Sequence, residues 1–124
     1  MQQLYFHPTW ERAISEADRE VIEQLFEQTY DEVDDTIMSP TVRAAFNHKG
    51  ELLVTALVHN FTHHSARFRE RTVFVHADDD FYEQRFTIDA LVVPPFTSMP
   101  WTFIFPPNAL ARTITLSNVY IEIE

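Results

Sequence analysis

Residues 100–107 read Pro100-Trp101-Thr102-Phe103-Ile104-Phe105-Pro106-Pro107, and the alternation inside them sets the architecture expected of the whole chain. In an extended backbone, successive side chains point to opposite faces. Trp101, Phe103 and Phe105 therefore share one face, and Thr102 and Ile104 the other. Prolines cannot donate to a strand ladder, so Pro100, Pro106 and Pro107, with Pro94 and Pro95 upstream, confine this strand between irregular segments. Three aromatic rings on one face make that face core.

The same period of two runs outward in both directions. Strands are expected at 41–46, 52–59, 72–77, 84–88 and 113–123, the last interrupted near Asn118. Asn47-His48-Lys49-Gly50 reads as a tight turn, with Gly50, the one glycine of the chain, free to take positive φ. Asp78-Asp79-Asp80 reads as a second turn. Short connections with no intervening helix predict antiparallel pairing, and the fold class expected is mainly β: an immunoglobulin-like antiparallel β-sandwich of six to seven strands.

The period changes before Pro40. Val21, Ile22, Leu25 and Phe26 recur at helical spacing, with Glu20, Glu23, Gln24 and Glu27 on the other faces. Ser15 and Asp18 have the spacing of a capping box, and acidic residues crowd the first turn, so one amphipathic helix is predicted from Glu16 to about Thr29. Ahead of it, His7-Pro8-Thr9-Trp10 reads as an extended lead-in with a turn. Asp31, Glu32, Asp34 and Asp35 form an acidic connector. At 124 residues the chain is expected to be one domain, 1–35 the extension and helix and 36–124 the sandwich.

Composition removes several function classes. Nineteen acidic against nine basic residues give a net charge of −10, a field that repels phosphate backbones, so nucleic acid is not an expected partner. Without cysteine there are no disulfides, thiolate nucleophiles or thiolate metal sites. One glycine is too few for phosphate-cradling loops or a nucleophile elbow. No basic leader followed by an apolar run, and no long apolar stretch, is present; a cytoplasmic protein without membrane insertion is expected.

The chain resembles the SLAP domain family of Bacillus-type Firmicutes. The resemblance is carried by Leu4-Tyr5-Phe6-His7-Pro8-Thr9-Trp10, Val54-Thr55-Ala56-Leu57-Val58-His59-Asn60, Phe86-Thr87-Ile88 and Ser98-Met99-Pro100-Trp101-Thr102-Phe103-Ile104-Phe105-Pro106. It departs from that pattern at Tyr30 to Asp35, where the family has a proline-rich connector, and near Asp80, where it has a glycine. The resemblance implies a β-sandwich without catalytic residues, in a family some of whose members assist export of S-layer proteins alongside the accessory Sec ATPase.

Candidate chemistry is sparse. His59, His63 and His64 are the densest imidazole cluster and would be the ligands of a metal-binding protein or metal-dependent enzyme, although they follow a β-patterned run rather than a helix. Asp78 to Asp80 lack the glycine and distal glutamate of a calcium loop. Arg67, Arg69 and Arg71 alternate and are expected to form a basic stripe for a carboxylate-rich protein surface, or to be neutralised by the chain's own acids. Ser98 and Ser117 have no activating neighbour, and no pair of acids converges. A non-catalytic protein-binding module without cofactors is therefore expected, with a homodimer through a strand edge as one mode of association. The alternatives are the metal reading and an intracellular protease inhibitor with residues 92–100 as its proline-stiffened loop.

Overall fold

The computed structural model describes residues 1–31 and 36–124. Most of the acidic connector lies outside them. In chain order the elements are β1 (Gln3–Leu4), α1 (Pro8–Ala13), α2 (Glu16–Thr29), β2 (Ile37–Met38), β3 (Thr41–Phe46), β4 (Leu52–Asn60), β5 (Ala66–Ala77), β6 (Asp80–Val93), β7 (Thr97–Phe105), a single 3₁₀ turn (Leu116–Asn118) and β8 (Tyr120–Ile123). The fold is mainly β, in two sheets. One sheet is ordered β1-β7-β4-β2, with β3 continuing the β2 edge of β4; the other is β6-β5-β8.

One core lies between the sheets. Leu52, Val54, Ala56 and Val58 of β4 and Phe103 and Phe105 of β7 meet Phe68, Val73, Val75 and Ala77 of β5 and Ile121 of β8. Val54 lies opposite Phe103 and Leu52 opposite Phe105, so the aromatic face predicted from 101–105 is the face that packs. Trp101 stays half-buried at the sheet margin, edge-on to His7. Pro100 pairs with Leu57, whose N–H turns the other way to the Pro40 carbonyl. Beyond the two residues of β1, β7 has no second neighbour among the described residues, so the missing proline N–H faces an open edge.

Several sequence expectations change. The pairing is not wholly antiparallel, because β1 runs parallel to β7 through Gln3↔Thr97 and Leu4↔Ser98. This also places two residues of the N-terminal extension in the same sheet as β7. The described residues hold two α-helices rather than one: Pro8 sits in the first turn of α1, and the His7 side chain caps it, Nδ1 accepting from the Thr9 N–H. β5 and β6 are longer than expected because their outward positions are charged, which hides a strand that alternation alone would extend. The expected strand at 113–123 keeps only Tyr120–Ile123. Ahead of it, the Asp78 carboxylate accepts from Thr115 N–H and Asn118 Nδ2, holding that stretch as a turn.

Other expectations hold. Ser15 caps α2, its hydroxyl accepting from the Asp18 N–H. Gly50 has φ +81° in the turn closed by its N–H to the Asn47 carbonyl. Any Cβ there would meet the Arg112 guanidinium at 3.4 Å.

Candidate functional site

The two helices lie across the outer face of the β4–β7 sheet but do not seal it. Ile14 ends α1 in an extended conformation and Ser15 opens α2 in another, so the helices diverge and leave a wedge. α1 buries no residue fully, and α2 buries only Ile22. Val21, expected to pack with it, is 49% exposed. The result is a groove of about 490 Å³ walled by Trp10, Ala13, Ile14, Val21, Ile22 and Val42. Its floor is Thr55 and Thr102, whose hydroxyls are bonded to each other at 2.8 Å. Asp18 and Arg43 face each other at 3.8 Å on its rim, both well exposed, a pair that contributes little to stability. Apolar walls over a floor whose polar groups are already paired suit apolar side chains.

Beyond Ile22 the same sheet face carries a buried polar chain. Thr29 donates its hydroxyl to the Leu25 carbonyl at 2.7 Å, so toward His59 it accepts, from Nε2–H at 2.7 Å. That leaves His59 Nδ1 bare, and it accepts from the Ser98 hydroxyl. Ser98 in turn accepts from Gln2 Nε2 at 2.9 Å. The neutral Nε2–H tautomer is thus fixed by its neighbours. The ring stacks on Phe61 at 5.0 Å and tilts against Phe26. Burial lowers its pKa to about 4.

The SLAP domain family model matches residues 4–124. The chain belongs to the SLAP domain family. No curated protein and no solved structure was found to match it. In this SLAP domain the residues of the His-Pro-x-Trp opening divide the work: His7 caps α1 and touches Trp101, Pro8 starts the helix, and Trp10 walls the groove.

The candidate histidines are not drawn together. His59 faces α2 with both ring nitrogens engaged, whereas His63 and His64 are exposed and His63 lies edge-on to Phe96. Among the described residues, no three His, Asp or Glu side chains gather at metal-binding spacing.

Asn60, which the sequence showed only as the last residue of the family-like run 54–60, organises this region. Its buried Nδ2 donates to the carbonyls of His64, Val93 and Pro94, and its Oδ1 accepts from the Thr62 N–H and hydroxyl. Asn60→Ala should cost about 1–3 kcal/mol, since it strips partners from buried carbonyls. Urea unfolding measures this; an unchanged midpoint would mean water replaces the amide.

The arginine stripe is broken. The β5–β6 register shifts between Arg67 and Phe68 and again between Phe68 and Arg71, and Glu70 takes φ +48°. One extra residue reverses the alternation, so Arg71 leaves the face of Arg67 and Arg69. It lies over the Phe68 ring and donates to the carbonyls of Glu124 and Arg67. Arg67 and Arg69 remain exposed, with no ion pair among the described residues. The supposed inhibitory loop is also not one. Only residues 94–96 connect strands, while Thr97 to Pro100 are buried in β7 and paired with β4, Thr97 and Ser98 also with β1. No helix among the described residues is long and apolar enough to cross a membrane.

Proposed function

We propose that this SLAP domain is a non-catalytic, cytoplasmic protein-binding module accessory to S-layer protein export, and that the groove beside α1 receives apolar side chains of the exported polypeptide. Family membership supports the export context. The observation that carries the binding site is the groove itself, apolar-walled, open, and floored by hydroxyls that already satisfy each other. Its ionisable groups, Asp18 and Arg43, face one another at the rim instead of converging on a reacting centre.

Ala13→Trp tests it. Ala13 is exposed at the end of α1, so the larger ring should fill the groove with little effect on folding. Purified S-layer precursor should bind the parent domain saturably and the variant at least about tenfold more weakly, a loss of about 1.4 kcal/mol. Equal binding would remove the groove from the reading, and no binding to the parent would remove the S-layer precursor. A second reading, self-association through a strand edge, draws on β6, which among the described residues pairs only with β5 and carries no proline in fourteen residues. A concentration-independent monomer in sedimentation would dismiss it.

A further inference from the structure

Among the described residues, neither α-helix lies over the outer face of the β6-β5-β8 sheet, and its side chains form ordered rows. Val73, Val75 and Ala77 of β5 point into the core, so Phe74 and His76 point out. In register with His76 stand Phe81 and Tyr120, and in register with Phe74 stand Glu83 and Glu122. Directly opposed residues share a face. The first row is a continuous aromatic strip: His76 stacks on Tyr120 at 4.7 Å and on Phe81 at 5.9 Å. Phe81 is 60% and Tyr120 50% exposed. The second row sets the Phe74 ring between two carboxylates; Glu122 also approaches His76 Nε2 at 2.6 Å. Past the aromatic strip lies the turn with Asp79 and Asp80, both exposed. The nearest cation in register is Arg85, one row beyond Glu83 and opposite Thr72.

We propose that this face binds a cationic polypeptide segment carrying alternating arginine or lysine and apolar residues, on a surface separate from the groove. Arginine stacks on aromatic faces and pairs with carboxylates at once, and here rings and carboxylates alternate at strand spacing. A strip of exposed rings with acids on two sides fits no nucleic acid. It also disfavours a second copy, which would set carboxylate against carboxylate. Apolar residues of the segment would cover Phe81 and Tyr120 while its cations reach Glu83 and Glu122.

The probe is an end-blocked hexapeptide alternating arginine and leucine, compared with the same peptide carrying citrulline, a neutral isostere, in place of arginine. Backbone amide shifts should move at 72–76, 81–85 and 120–122, and the arginine peptide should bind at least tenfold tighter than the citrulline one. E83Q/E122Q, with both sites exposed, should keep its unfolding midpoint and lose at least tenfold in affinity. E20Q/E23Q/E27Q on α2, a decoy of equal sign, should bind as the parent does. Ala13→Trp should also bind as the parent, which keeps this result independent of the groove. Unchanged affinity in E83Q/E122Q, shifts centred on α2, equal binding of the citrulline peptide, or a parent dimer dispersed by Phe81→Ser would each overturn the proposal.

Discussion

Replacing Phe103 by alanine is expected to lower the stability of the domain by about 3–5 kcal/mol, the range for deleting a buried aromatic side chain. Phe103 is fully buried on the inner face of β7. Its ring lies 5.8 Å from that of Phe68 on β5 and 5.4 Å, edge to face, from Phe86 on β6. It therefore ties one sheet to two strands of the other. Removing it loses the transfer free energy and the aromatic contacts, and leaves a void in a close-packed core, which neighbouring side chains refill only in part. Phe103→Leu, which keeps most of the volume, should cost clearly less. Urea unfolding should show an unchanged slope and a lower midpoint for both; an alanine variant within about 1 kcal/mol of the parent would mean that the sheets are not locked through this ring.

The second large effect is a loss of stability on mild acidification, traced to His59. Its folded pKa, about 4, lies below the ordinary value of 6.5, because burial disfavours the charged ring. The unfolded chain therefore binds more protons between pH 6.5 and 4, and stability must fall as pH falls through that window. The stabilisation is fully present above pH 6.5 and lost by about pH 4, and the gap between the two values corresponds to about 3 kcal/mol. Protonation would also place a second ring N–H against the Ser98 hydroxyl hydrogen. Asp78, held low by the Thr115 N–H and Asn118, acts in a more acidic range, below its ordinary 3.8, so the two windows separate. Unfolding midpoints from pH 7.5 to 4 should slope for the parent and run flatter for His59→Gln. Parallel curves would show that His59 protonates in place without cost.

How much of this was readable in one dimension differs from element to element. α2 was legible to the residue at its start, because Ser15 and its acidic first turn act through local hydrogen bonds. β3 was legible because Gly50 and Asn47 close its turn locally. β6 was underestimated: its fourteen residues include four that are charged, and an edge strand with a solvated face looks like a loop to any reading based on apolar content. α1 was missed because it is six residues long and rests on a cap from His7, a residue without a strong capping preference. The groove had one trace in the sequence, Val21 on the apolar face of a helix; its exposure depends on the angle between two helices. The arginine stripe failed because alternation assumes an unbroken strand, and the bulge at Glu70 carries no glycine to mark it.

The aromatic alternation at 101–105, the helical period at 16–29, the turn at Gly50 and the His-Pro-x-Trp opening determined the mainly β fold, the covering helix and the family by themselves, since each depends on neighbours a few residues apart. Which faces stay open was decided only in three dimensions. The parallel pairing of β1, the neutral tautomer of His59, the groove beside α1 and the rows of rings and carboxylates on β5, β6 and β8 all join residues dozens of positions apart. Their register is set by packing the two sheets on one core, a constraint that no local pattern encodes.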